Sequence, residues 1–324
     1  MKNKRKDGKR KMLWGFIYVG VFIAVFIISA VFKMTYNPLA KEFTVDWDDS
    51  VGKIYTDISY GEKEANKFDL YVPADDSRES YGLIVFLHPG GFTTGDKSGD
   101  AQILQWLCSK GYVTAGINYT LRDEEHPEAS VYSQSIEIKE SMPYVVAKAE
   151  KLGYKIDEMS IGGGSAGGCL ALLYAYRDAD TSPLPVKMVF EAVGPSCFYP
   201  EDWESYGLDK SPEAAAELFG VMAGKTITAD MFSSPRYDEE IKDISAVLWI
   251  DEDTVPTLCA YGVYDKIQPF KGSQRLEEAL KKYNVPHDYI VFEHSGHGLQ
   301  NDNDKYVEYM RKISEYLDTY MPVK

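Results

Sequence analysis

Residues 82–87 read Gly-Leu-Ile-Val-Phe-Leu, and this uninterrupted apolar run constrains the fold more than any other stretch of the chain. A strand with one face in water alternates apolar and polar residues. A strand that does not alternate is buried on both faces, and so requires helices above and below its sheet. Similar though less pure runs recur at 112–117, 186–190 and 257–261, with a weaker one at 159–161 and a last one at 289–292. Helical patterns lie between them at 101–110, 135–152, 166–176 and 272–283. Strand and helix in alternation predict an α/β fold built on a doubly wound, mostly parallel sheet. Upstream, 54–60 and 67–73 alternate in polarity and predict an antiparallel pair at one edge.

The alternation lapses between residue 194 and about residue 245, where Phe198, Tyr199, Trp203 and Tyr206 cluster and a helical piece covers 211–219. An insertion between two core strands lies over their carboxyl ends, where open α/β sheets bind ligands. It predicts a short cap whose aromatics, Phe198 and Trp203 among them, line a substrate site. A merely decorative surface insertion is the alternative.

Gly163-x-Ser165-x-Gly167 stands between a strand-like piece and the apolar run 169–176, so it reads as a strand-to-helix turn with a serine at its apex, the nucleophile elbow. A turn that tight forces the serine into strained backbone angles, and a Cβ on the flanking glycines would collide with neighbouring backbone. The same letters satisfy Gly162-x-Gly164-x-x-Gly167, a dinucleotide-binding pattern, with Glu191 at the end of a later run as the candidate ribose-binding acid. A glycine-rich turn with no chemistry is the third reading. Residues elsewhere in the chain distinguish them.

A nucleophilic serine needs a base, an acid to orient that base, and N–H donors for the oxyanion. There are five histidines. His88 opens His88-Pro89-Gly90-Gly91-Phe92 directly after the first buried run, where a loop of backbone donors belongs; Gly90 and Gly91 are its candidates, and Ala166, after the serine, supplies another. His126 lies in a polar loop and His287 opens a strand. His297, flanked by Gly296 and Gly298 after the last strand, is the better base, and His294 is assigned a structural role. Asp265 follows the strand at 257–261 and is the acid that would fix the imidazole tautomer, whereas Asp251 and Asp253 precede that strand and read as solvated. The dinucleotide reading leaves the 88–92 loop, Asp265 and His297 unexplained.

The net charge of -15 conceals a division, because residues 1–33 hold eight Lys/Arg against one Asp, which leaves -22 on the rest. A body that acidic argues against nucleic acid as a partner. Residues 2–11 carry seven Lys/Arg, and residues 12–32 then run for 21 positions without a charge, enough helix to cross a bilayer. The expected organisation is a basic cytoplasmic tail (1–11), a transmembrane signal anchor in the lipid bilayer (12–32), a stalk (33–50) and one domain (51–324) outside the cytoplasm. Cleavage near residue 30, giving a secreted protein, is the alternative. Cys108, Cys169, Cys197 and Cys259 have neither C-x-x-C spacing nor a histidine cluster, so a metal site is not expected. Buried free thiols are the simpler reading of them, with one disulfide the alternative.

The 88–92 loop, the stretch from Gly163 to Gly168, Val255-Pro256-Thr257 with Gly262 and Asp265, and His297-Gly298 together resemble the α/β-hydrolase esterase/lipase group of hormone-sensitive-lipase-like and acetyl-xylan-type carboxylesterases. The resemblance spans about residues 69–320. It implies an α/β-hydrolase sheet, the chain order Ser165, Asp265, His297 for nucleophile, acid and base, an oxyanion hole from Gly90, Gly91 and Ala166, a small-molecule ester substrate such as an acetylated carbohydrate, and no cofactor or metal. Pro89 departs from the group's usual glycine and removes one N–H donor. Gly164 stands where the hormone-sensitive-lipase-like members usually have Asp, which moves the match toward the acetyl-xylan and feruloyl type. A catalytically inactive binding module and a serine peptidase with the same triad are the competing readings.

Overall fold

The computed structural model describes residues 42–324; the expected cytoplasmic tail, membrane anchor and first part of the stalk lie outside the described residues. No helix among the described residues is long and apolar enough to cross a membrane. Residues from Val45 onward form one compact unit around an eight-stranded sheet. Its strands are β1 (Gly52–Ser59), β2 (Lys67–Pro73), β3 (Tyr81–Leu87), β4 (Val113–Ile117), β5 (Ile156–Gly164), β6 (Val186–Ala192), β7 (Thr257–Gly262) and β8 (His287–Phe292). They lie in the order β1-β2-β4-β3-β5-β6-β7-β8. β1 and β2 pair antiparallel, β2 meets β4 antiparallel, and every remaining pair is parallel, which is the expected edge on the expected sheet.

The helices that cross between strands are α1 (Ala101–Ser109), α2 (Val131–Lys151), α3 (Ala166–Arg177) and α5 (Phe270–Lys282), with α4 (Pro212–Ala223) in the cap and α6 (Asn303–Tyr320) at the end. The first eleven residues of α3 are all buried, so this helix packs on every side and shows little of the two-faced pattern of a surface helix. α2 begins at Val131, earlier than the apolar pattern suggests. Ser130 and Ser133 cap one another there, with Ser133 N–H donating to Ser130 Oγ at 3.1 Å and Ser130 N–H to Ser133 Oγ at 2.9 Å. β5 is a full nine residues rather than the short piece read at 159–161. Its polar opening and its glycine run have poor strand propensity, and pairing with β3 and β6 on either side supplies what propensity lacks.

This topology positions the site. The chain leaves β3 for β4 on one side and later takes up β5 on the other, so a crevice opens at the carboxyl ends of β3 and β5. Leu87 pairs with Gly163, Gly164 with Ala192, and Gly262 with Phe292. The loops after β3, β5, β7 and β8 therefore all emerge at the same end of the sheet.

Candidate active site

Gly163 and Gly167 make the turn after β5 possible. A Cβ on Gly163 would lie 2.4 Å from the backbone of Gly167, and one on Gly167 would lie 1.9 Å from Leu87 O. Gly164, by contrast, has open space around its Cβ position. The apex residue Ser165 takes φ 51° and ψ -118°, a positive-φ conformation that an L-residue adopts only under constraint. Its N–H donates to Ala192 O at 2.8 Å, and its carbonyl accepts from Cys169 N–H at 3.0 Å.

Three side chains from three strand ends meet here. With its Nδ1 protonated, His297 donates to Asp265 Oδ2 at 2.7 Å, and its Nε2 then accepts from Ser165 Oγ at 2.8 Å. Asp265 is buried, and its other oxygen accepts the N–H groups of Ile267 and Gln268 at 2.8 and 2.9 Å. Both carboxylate oxygens are thus fixed. An imidazole held in this tautomer takes a proton at Nε2 as a hydroxyl oxygen attacks, which is general-base geometry.

The loop after β3 folds against the elbow. Gly90 and Gly91 have φ of 139° and 60°, and Phe92 follows at 68°. The carbonyl of Gly90 accepts from Thr93 and Thr94 N–H, which turns this loop back on itself. Ala166 opens α3, so its N–H has no intrahelical acceptor. His88 anchors the loop from below. It is buried, stacks on Tyr119 with centroids 4.3 Å apart, and bonds Pro89 O through Nδ1 at 2.9 Å. Burial lowers its pKa, so it stands as a neutral imidazole.

The remaining candidates take other places. His126 and His287 stay apart from the Ser165 group, His126 in its exposed loop and His287 bonded to Val285 O. His294 pairs with Asp302, Nδ1 to Oδ1 at 2.7 Å, and this hydrogen bond raises the imidazole's pKa. Asp302 also accepts from His294 N–H at 3.0 Å and from Ser295 Oγ. Ser295 O in turn accepts the N–H of Tyr264, beside Asp265. Asp302 thus closes the base of the loop that presents His297. It has no motif around it, and its one sequence signal is an acid just before helix α6.

The segment after β6 packs against the acid loop: Tyr206 Oη donates to Ile267 O at 3.0 Å, and Arg275 of α5 holds buried Asp202 through two hydrogen bonds. The expectation that Phe198 and Trp203 line a substrate site is not met. Both are buried, stack at 5.7 Å, and meet Phe219 of α4 edge-on, so they form the cap's own core. Tyr199, Phe232 and Tyr237 border a hollow of about 500 Å³ in the same segment.

Glu191 is completely buried in β6, where no ribose reaches it. All four cysteines are free and buried. Among the described residues no group of three or more His, Cys, Asp or Glu side chains is placed to hold a metal ion.

Comparison with known proteins agrees with this architecture. Among curated proteins the chain is 34% identical over 127 residues to a probable carboxylic ester hydrolase, LipM, of Mycobacterium tuberculosis, and 22% identical over 250 residues to esterase LipC of the same organism. These matches take in 38% and 75% of this chain but only 28% and 59% of those proteins' lengths. Among solved structures, a truncated carbohydrate esterase from gut microbiota superposes with a TM-score of 0.65 at 17% identity, covering 85% of this chain and 98% of that one. Esterase Est2 of Thermogutta terrifontis gives 0.65 at 19% identity, covering 85% and 95%. Likenesses at that level of identity speak to the fold. The family model for BD-FAE matches residues 68–280, from the start of β2 almost to the end of α5, and the chain belongs to that family within the α/β-hydrolase fold.

Proposed function

We propose that the protein is a serine carboxylesterase acting on small carboxylic esters, acetylated carbohydrates among them, and that residues 12–32 anchor it in the membrane with its domain outside the cytoplasm. The observation that carries the reading is the continuous hydrogen-bonded line from Asp265 through His297 to Ser165 Oγ. Likeness to a probable carboxylic ester hydrolase supports the ester bond as target, and likeness to a carbohydrate esterase supports the alcohol part.

In this reading Ser165 Oγ attacks the ester carbonyl carbon while His297 Nε2 takes the hydroxyl proton, and Asp265 stabilises the imidazolium. The N–H groups of Ala166 and of the Gly90-Gly91 loop bind the oxyanion. The alcohol leaves with the proton from His297. Water then attacks the acyl-serine, gives a proton to His297, and releases the carboxylic acid as Ser165 is reprotonated.

The test is hydrolysis by the full-length protein of aryl esters of increasing chain length, acetylated sugars and a peptide amide. Acetyl esters are expected to be cleaved fastest, and Ser165→Ala is expected to lower kcat by roughly 10⁴-fold or more. Cleavage of the amide at a comparable rate would make the protein a peptidase, and inactivity on every substrate would make it a binding module. The anchor is tested by protease added to intact cells, which is expected to release the domain. A soluble product beginning near residue 31 would show cleavage instead.

A further inference from the structure

Glu191 is buried behind the site with no part in the Asp265, His297 and Ser165 line. Its Oε2 accepts Gly194 N–H at 2.8 Å, and its Oε1 has no hydrogen-bond partner among the described residues. The carboxyl presses on the first turn of α3, since a Cβ on Gly168 would lie 3.0 Å from Oε2 and one on Gly194 2.9 Å from it. The turn it touches is the one that holds Ser165. Ser165 N–H donates to Ala192 O, Val193 N–H donates to Ala260 O at 2.9 Å, and Tyr261 Oη donates to Gly194 O at 2.9 Å. Val193 has φ 53°, close to the 51° of Ser165. Positive φ is costly for serine and more so for a β-branched residue, so two such neighbours persist only where their surroundings over-determine them.

We propose that Glu191 is a positioning residue for Ser165: as a neutral carboxylic acid it clamps the 192–194 turn through Gly194, and that turn holds the serine in its strained conformation. The inference rests on the reading of Ser165 as nucleophile. Neutrality is the operative property. A carboxylate here would put negative charge beside the first turn of α3, whose Ala166 N–H that reading assigns to the oxyanion, and the two negative charges would oppose one another.

Burial pushes the carboxyl up to about 8, against the hydrogen bond from Gly194 N–H. The titratable groups facing it are Cys169 and Tyr176 of α3, Cys259 and Tyr261 of β7, Tyr289 of β8 and Tyr309 of α6. Burial raises every one of them, and this set contains no cation. Glu191 is therefore the first of the group to ionise as the pH rises.

The experiment measures kcat, KM and melting temperature for the full-length wild type and for Glu191→Gln, Glu191→Ala and Ser165→Ala, with an acetyl ester across the alkaline range. Wild-type kcat is expected to fall along a limb centred near pH 8, by about tenfold per pH unit beyond it. Glu191→Ala is expected to lose at least about tenfold in kcat at neutral pH with little change in KM, as a misplaced nucleophile does. Glu191→Gln, neutral at every pH, is expected to recover most of that loss and to lack the alkaline limb. A Gln variant with the wild-type limb overturns the proposal, and so does an Ala variant with a lowered melting temperature but wild-type kcat. Should the Ala variant fail to fold, the pH profile of the Gln variant decides. Ser165→Ala separates the two failures: if it stays active, the nucleophile reading falls, and if it is inactive while both Glu191 variants behave as wild type, only the positioning role falls.

Discussion

Adding one methyl group at Gly167 tests the elbow without touching any side chain that does chemistry. The new Cβ would stand 1.9 Å from Leu87 O, 2.5 Å from Leu87 C and 2.8 Å from His88 O, all of them backbone atoms with no rotamer to swing away. Restoring ordinary contact means moving α3 and the end of β3 apart by about 1.5 Å. That displacement separates Ser165 and Ala166 from the 88–92 loop, and a misplacement of ~1 Å at reacting groups costs about 10²-fold in rate. Overpacking of this kind also costs about 1–3 kcal/mol of stability. Gly164→Ala is the matched control, one residue on the other side of the serine, where the same methyl group meets nothing within 4 Å. We expect Gly167→Ala to lose about 10²-fold or more in kcat for an aryl acetate and to melt at lower temperature, while Gly164→Ala stays close to wild type in both. Titration with an organophosphate, which counts reactive serines, checks that the loss lies in the site. Wild-type kcat in Gly167→Ala, or equal damage in Gly164→Ala, would refute the steric argument.

Trp203→Ala is expected to destabilise the fold by about 3–5 kcal/mol, because it opens a cavity in the Phe198 and Phe219 cluster; selectivity between short and long acyl esters should stay as in wild type, and changed selectivity at an unchanged melting temperature would put Trp203 in the substrate site after all. The His294 and Asp302 pair predicts a pH dependence of the His297 loop. Pairing raises the His294 pKa above its unfolded value of about 6.5, so the pair's contribution is fully present below that pH and is lost as the pH rises through the folded value. Corrected for intrinsic rates, hydrogen exchange at the loop amides of His294 and Asn301 should be slower below that window than above it, and His294→Ala should erase the difference. A loop whose protection is the same across the window in wild type would dissociate the pair from loop order.

Legibility in the sequence followed how local the determining interaction was. β3, β4 and β7 could be read because burial on both faces leaves a mark in each strand's own letters. The elbow glycines were legible for a similar reason, since a Cβ at Gly163 or Gly167 meets backbone of the turn itself or of the strand beside it. Ser165, Asp265 and His297 could be named as candidates because each follows a strand end, and strand ends on one side of a parallel sheet converge whatever lies between them. α6 is hard to read although Tyr309, Met310, Ile313, Tyr316 and Leu317 mark one buried face, because charged residues interleave with that stripe. The cap aromatics were misassigned because a bulky ring facing a ligand and one facing another ring have the same local sequence; Trp203 is settled by Phe219, sixteen positions on. Glu191 is the strongest case. An acid closing an apolar run reads as a ligand group, and only the packing of α3, β7 and α6 around it removes it from solvent. The same packing that hides it from a ribose also makes its charge expensive, so the feature that defeats the dinucleotide reading is the one that lets the residue act on Ser165 as a neutral acid.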